Sequence, residues 1–186
     1  MIDDNGWLLP EDHIPIALVP SPNFNQRPAD EPISLLVVHN ISLPPNEFGG
    51  GYIEQFFTNC LPVDDHPYFK EIDGVEVSAH VLIDRKGQIT QFVSFDDRAW
   101  HAGKSEHQGR CDCNDFSIGV ELEGCDTEPY SEVQYWRLEW LIRGLFEYYP
   151  ELNPETIVGH EHISPGRKSD PGPYFNWARL QKSLLA

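Results

Sequence analysis

The run Ser34-Leu-Leu-Val-Val-His-Asn-Ile41 constrains the fold more than any other stretch of the chain. Leu35, Leu36, Val37 and Val38 follow one another without a polar interruption. A strand made of them has no face that tolerates water, so it must be buried on both sides. Such strands sit in sheets covered by helices, not in one-sided meanders. The run ends in His39-Asn40. Alternation puts His39 on the face of Leu35 and Val37, at the strand's C-terminal end, where open α/β sheets place ligands.

The remaining elements fit around that strand. Residues 1–32, rich in proline, asparagine and acid, read as an extended arm. Tyr52 to Cys60 reads as a short helix, with Ile53, Phe56, Phe57 and Cys60 at helical spacing. Ser78 to Asp84 and Gln88 to Phe95 read as two strands joined by Arg85-Lys86-Gly87, a hairpin signal. His80 is expected to be structural. Asp96 to Asn114 reads as a polar loop. In a strand from Phe116 to Glu123, Ile118, Val120 and Leu122 point one way, and Ser117, Gly119, Glu121 and Glu123 the other. Glycine beside the carboxylates leaves room for something to approach, and Glu123 is expected to form a solvent-facing acidic edge. Ser131 to Tyr149 is the clearest helix, with a capping-box pattern at Ser131 and Gln134 and an apolar stripe from Leu138 to Tyr149. Thr156 to Gly159 reads as a short strand and Asn176 to Leu185 as a last amphipathic helix. The expected fold is α/β: a single domain with a mixed central β-sheet flanked by helices.

At 186 residues the chain can bury one full core. Its formal net charge of −17 argues against nonspecific binding to nucleic acid or to an anionic membrane. Cys60, Cys111, Cys113 and Cys125 suggest no disulfide framework and read as reduced thiols. The first residues lack a positive n-region, and the apolar run Ile14 to Val19 is short and broken by Pro15, so neither a signal peptide nor a membrane span is expected. A cytoplasmic monomer is the expectation.

The chemistry-bearing residues concentrate between Gly159 and Tyr174. His160, His162, Lys168 and Asp170 lie there among glycines and prolines, which predict an irregular loop. Imidazole and carboxylate are ligands that zinc accepts, and three such ligands leave one position open for water. If the end of the first strand, Glu121 and the His160–Asp170 loop converge, they supply the parts for metal-assisted hydrolysis: ligands, a base and a cation.

The chain also resembles the AmpD-type 1,6-anhydro-N-acetylmuramyl-L-alanine amidases, relatives of the phage lysozyme amidases and the peptidoglycan recognition proteins. The resemblance spans nearly the whole chain through Val19-Pro-Ser-Pro-Asn23, Leu35-Leu-Val-Val-His-Asn-Ile-Ser-Leu-Pro-Pro45, His66-Pro-Tyr-Phe69, Val77-Ser-Ala-His80, Arg98-Ala-Trp-His-Ala-Gly103, Cys113-Asn-Asp-Phe-Ser-Ile-Gly-Val-Glu-Leu-Glu-Gly124 and Arg167-Lys-Ser-Asp-Pro-Gly172. It implies one zinc ion per chain held by His39, His160 and Asp170, with Glu121 as general base and Lys168 as oxyanion stabiliser. It further implies a groove lined by Asn40, Tyr68, Trp100 and the Ser164 backbone. The implied reaction is hydrolysis of the lactyl–L-alanine amide of anhydro-muropeptides during cytoplasmic peptidoglycan recycling, with an effect on β-lactamase induction.

Three positions depart from that pattern. His162 stands where family members carry a small polar or acidic residue, and Glu76 and Asp112 stand where some carry arginine. Arg110 or Lys104 is expected to hold the stem peptide's carboxylates in their place. Two rival readings compete. One is a muropeptide-binding module of the same fold without catalysis, which would not need ligands, base and lysine together. The other is a closed structural zinc site built from Cys111, Cys113, His160 and His162.

Overall fold

The computed structural model describes residues 1–185. In chain order the strands and α-helices are β1 (Ile16–Leu18), β2 (Phe24–Gln26), β3 (Leu35–Ile41), α1 (Tyr52–Phe57), β4 (Val81–Ile83), β5 (Ile89–Gln91), β6 (Asp97–Ala99), β7 (Glu106–His107), β8 (Arg110–Cys111), β9 (Ser117–Glu123), α2 (Glu132–Tyr148), β10 (Ile157–Gly159), α3 (His160–Ile163) and α4 (Trp177–Leu184). Six strands form one sheet in the order β1-β5-β4-β9-β3-β10. Only the β4–β5 pairing is antiparallel, so the sheet is mixed.

The aliphatic run of β3 lies at the heart of this sheet, between β9 and β10, with Leu35 to Val38 fully buried. Leu36 and Val38 share one face with Ile118, Val120 and Leu122 of β9. They pack there on Leu138, Leu141, Ile142 and Leu145 of α2, with Leu180 and Leu184 of α4 in the same cluster. The 17-residue helix α2 starts at a complete capping box: the Ser131 side chain accepts from the Gln134 N–H, and the Gln134 side chain accepts from the Ser131 N–H. The opposite face of β3 packs Leu35 and Val37 against Ala102, Cys113, Phe116 and Ile163. His39 continues this second face, level with Glu121 of β9, which is in turn level with Leu82 of β4.

Several expectations need adjustment. The N-terminal arm does more than wrap: β1 adds a parallel strand to the sheet edge, β2 pairs with β6, and Ile2 and Leu8 enter the core. The polar loop of residues 96–114 contains three short strands, β6, β7 and β8. The two hairpin strands are shorter than their sequence pattern suggests. His80 stays structural. It is fully buried, its Nδ1 accepts the Gly119 N–H at 3.0 Å, and its Nε2 lies 3.1 Å from the Asp97 carbonyl.

Glu123 is not a solvent-facing edge. It is buried, and its two carboxylate oxygens accept the main-chain N–H groups of Gly49 and Arg85. The Gly49–Gly51 segment passes over the end of β9, so the polar face there looks into protein. No helix among the described residues is long and apolar enough to cross a membrane.

Candidate active site

The site forms where β3, β9 and β10 end side by side. β10 runs directly into α3, so His160 begins a helical turn where the sequence predicts irregular loop. The Glu161 N–H donates to the Asp170 carbonyl at 2.9 Å, which folds the following loop back over that turn. Asp170 is thereby carried opposite His39. His39 Nδ1 and His160 Nδ1 lie 2.9 Å apart, and each is 3.0 Å from Asp170 Oδ2. Three donor atoms thus face a common point. Among the described residues this is the one group of three or more His, Cys, Asp or Glu side chains with the spacing of a metal site.

The donor set fits a divalent metal. Two imidazole lone pairs and a carboxylate directed at one point repel each other unless a cation lies between them. A tetrahedral ion with bonds of about 2.0–2.1 Å separates its ligands by about 3.3 Å, so only a slight parting is needed. Burial pushes His39 down to about 4, partly opposed by the nearby Asp170 carboxylate, so its imidazole is neutral and free to ligate. Burial alone would raise the Asp170 carboxyl. The imidazoles of His160 and His39 outweigh it and hold the group below the usual carboxylate range. His160 Nε2 lies 3.0 Å from the Ala102 carbonyl, which can only accept; the proton is on Nε2 and Nδ1 keeps its lone pair.

Glu121 stands beside this cluster under different conditions. It is 8% exposed, and its Oε2 is buried without a hydrogen-bond partner. Burial and the Asp170 charge raise its carboxyl well above the ordinary range, against the pull of Lys168. Such a group holds a proton more readily than an ordinary carboxylate, as a residue that accepts and passes on protons must. Lys168 is exposed and lines the same groove, of about 350 Å³, as His39, Glu121, His160 and Asp170. Tyr68 and Trp100 form part of its walls. Trp100 is held by its indole N–H, which donates to Asn25 Oδ1 at 2.7 Å, so the N-terminal arm sets this wall.

Other expected site residues are placed elsewhere or otherwise engaged. The Arg110 guanidinium lies over the Phe116 ring, 3.6 Å from its centroid, and donates to Glu31 and Ser34. It does not line the groove, because these partners hold it over the Phe116 ring. The Ser164 N–H is spent on the His160 carbonyl, and its Oγ donates to the Lys104 carbonyl, so Ser164 lines a neighbouring hollow with Lys104 and Asp112. Asn40 lines the groove, yet its amide donates to Asp126 Oδ1 and the Pro171 carbonyl, bracing the loop that carries Asp170. His162 turns away from the cluster: its Nδ1 accepts the Gly159 N–H at 2.8 Å. Cys113 is buried against Phe116 and Cys111 is exposed, and neither joins a metal-ligand group.

Comparison with known proteins now decides the family. The family model for N-acetylmuramoyl-L-alanine amidases matches residues 29–173. The chain belongs to the N-acetylmuramoyl-L-alanine amidase family. This amidase is 52% identical to the 1,6-anhydro-N-acetylmuramyl-L-alanine amidase AmpD of Salmonella typhimurium over 186 residues, covering 100% of this chain and 96% of that protein. It superposes on a crystal structure of a selenomethionine derivative of AmpD with a TM-score of 0.92 and 51% identity, covering 99% of each chain. The amidase AmiD of Escherichia coli, solved with anhydro-N-acetylmuramic acid-L-Ala-D-γ-Glu-L-Lys, matches with a TM-score of 0.60 and 29% identity, over 86% of this chain and 60% of that one.

Residues that sequence reasoning missed cluster behind the site. His101 and Ala102 contact the two imidazoles, and Tyr130 donates to the Pro171 carbonyl at 2.6 Å. A histidine between Trp100 and Ala102 was the available signal for the first of these. Nothing in the sequence points Tyr130 at residue 171.

Proposed function

We propose that this amidase binds one zinc ion through His39, His160 and Asp170. With it the enzyme hydrolyses the amide between the lactyl carbonyl of 1,6-anhydro-N-acetylmuramic acid and L-alanine. The observation that carries the reading is the pairing of a three-donor cluster, spaced 2.9–3.0 Å, with a buried carboxyl whose Oε2 has no partner in the same groove. Whole-chain likeness to relatives named for the anhydro substrate supports the choice of substrate.

Bound zinc would supply a water of lowered pKa and a Lewis acid for the amide carbonyl. Glu121 accepts the proton of the attacking water and returns it to the alanine nitrogen as the C–N bond breaks; the second water proton follows, leaving a lactyl carboxylate and a peptide ammonium. Lys168 sets its ammonium towards the carbonyl oxygen, where negative charge develops. Tyr68 and Trp100 flank the sugar and stem peptide, and Asn40 keeps the Asp170 loop in place. The whole chain works as one amidase unit, with residues 1–32 bracing its groove. It acts as a cytoplasmic monomer on soluble turnover fragments, without nucleic acid or membrane as partner.

The test measures zinc content and release of free stem peptide from anhydro-muropeptide and from polymeric murein. Stoichiometric zinc, chelator-sensitive release and a strong preference for the soluble fragment are expected. Equal rates on both substrates would refute the substrate assignment, and full activity after complete zinc removal would refute the metal.

A further inference from the structure

Behind the three donors, one short loop meets both imidazole ligands. His39 Nε2 lies 3.0 Å from His101 Nδ1. The other nitrogen of His101, Nε2, lies 3.3 Å from Ser117 Oγ, whose hydroxyl donates to the Cys113 carbonyl. The carbonyl at the end of this chain fixes every proton in it. A carbonyl can only accept, so Ser117 gives its hydroxyl hydrogen to Cys113 and offers a lone pair to His101. His101 must then carry its proton on Nε2 and accept on Nδ1. His39 in turn carries its proton on Nε2 and leaves Nδ1 bare, facing His160 and Asp170. The next residue of the same loop does the same for the other ligand, because the Ala102 carbonyl accepts from His160 Nε2.

The loop is built for this placement. Asn114 is buried, and its Oδ1 accepts both the His101 N–H, at 3.1 Å, and the Ala102 N–H, at 2.8 Å. Gly119 provides the space. A Cβ on it would sit 2.4 Å from the His101 ring, so any larger residue would push that ring off His39. Arg167 also donates to the Ala102 carbonyl, at 2.7 Å, tying the loop to the segment that bears Asp170.

We propose that His101 is a positioning residue for the metal: it selects the His39 tautomer with Nδ1 free and holds that ring in ligating orientation, with Asn114 anchoring the loop. The inference rests on His39 being a zinc ligand. Histidines that bind metals generally hand their second N–H to an acceptor, and loss of that acceptor costs about 10–100-fold in affinity. A neutral imidazole accepts here, and its own tautomer is set two bonds further on.

The experiment compares wild type with His101→Leu, which keeps bulk and removes the acceptor, and His101→Asn, whose Oδ1 replaces Nδ1. Zinc dissociation constants are measured by competition with a chromophoric chelator, and the His39 tautomer in metal-free protein by 15N chemical shifts. His101→Leu should weaken zinc about 10–100-fold and give mixed His39 tautomers, while His101→Asn stays close to wild type on both readouts. Wild-type zinc affinity in a folded His101→Leu protein would overturn the proposal. So would finding metal-free wild-type His39 protonated on Nδ1, a result that needs no variant to fold. His39→Ala separates the two readings: undiminished zinc there would remove His39 as a ligand, whereas zinc loss in His39→Ala but not in His101→Leu would remove only the role of His101.

Discussion

The two faces of β9 sit one residue apart along the chain and follow different rules. On one, Ile118, Val120 and Leu122 pack on α2, and shape and apolar area account for the contact. On the other, Ser117, Gly119, Glu121 and Glu123 are equally buried but polar, and each answers to a specific partner or to the lack of one. Ser117 ends a hydrogen-bond chain, Gly119 makes room for a ring, and Glu123 is bonded through both oxygens. Glu121 Oε2 is buried and unpartnered. The lesson is that burial alone does not separate core from site. On the polar face of β9 what separates them is whether the buried carboxylate oxygens are satisfied, because an unsatisfied one carries a free-energy cost.

If that contrast is right, the polar face should control turnover far more than the apolar face does. The largest effect is expected from the donors beside it. His39→Ala or Asp170→Ala should lose both stoichiometric zinc and all measurable turnover, read by metal analysis and peptide release. Full zinc in His39→Ala would place the metal elsewhere.

Glu121→Gln comes next. The change is nearly isosteric and removes the proton acceptor, so turnover should fall by about 10²–10⁴ with zinc retained. Near-normal kcat in this variant would erase the functional half of the comparison.

Lys168→Ala should follow, with kcat lower by about 10²–10³, zinc retained and KM little changed. Arginine should rescue only in part, since its planar fork presents charge differently from a compact ammonium. A drop confined to KM would instead make Lys168 a clamp for bound substrate.

His80, bonded to the Gly119 N–H of β9, makes the fold sensitive to acid. Burial, helped by the charge of Arg27, pushes His80 down to about 3. The unfolded chain therefore takes up this proton first, and the stability it represents is full above about pH 6.5 and lost as pH falls from there to about 3. Between pH 6.5 and 5 this amounts to roughly 1–2 kcal/mol. His80→Asn, which can still accept from the Gly119 N–H, should show a flatter stability profile in denaturant titrations of the metal-free protein. An unchanged slope would take His80 out of the account.

How much of this was legible in the sequence differs between the faces in the same way. The β3 run and the capped α2 helix could be read directly, because apolar periodicity encodes packing against any apolar partner. The strands of the arm and of residues 96–114 are two or three residues long and too brief to carry a period. The ligand set, Glu121 and Lys168 were marked by family motifs. Arg110 was expected in the groove because its guanidinium suits carboxylates, and the Ser164 backbone because the family resemblance implied it, but where such groups end up depends on neighbours such as Glu31 and Lys104 that the chain brings in from far away. Glu123 was misread for a related reason: alternation says which residues share a face, not what covers it.

Glu123 therefore offers the finest test of the comparison, with the smallest expected effect on turnover. It lies two residues from Glu121 on the same face and is the more buried of the two, at 4% against 8% exposed. Its Oε1 accepts from the Gly49 N–H at 2.5 Å and its Oε2 from the Arg85 N–H at 3.0 Å, which staples the glycine-rich loop and the β4–β5 turn to the end of β9. A carboxylate suits this position because both oxygens accept. In Glu123→Gln one of them becomes an NH₂ facing a main-chain donor, so one part-buried N–H loses its partner. The expected cost is about 1 kcal/mol in unfolding free energy, the low end for a donor left unpaired, because both N–H groups are only part-buried. No reacting group is touched, so kcat on anhydro-muropeptide should stay within about twofold of wild type, far from the loss expected when a general base is removed. Paired with Glu121→Gln, the outcome is a crossed pattern: one variant stable and slow, the other less stable and fast. If Glu123→Gln instead lost turnover as Glu121→Gln does while keeping its stability, two carboxyls on this face would share the proton transfer, and hydrogen-bond satisfaction would fail as the mark that tells site from scaffold.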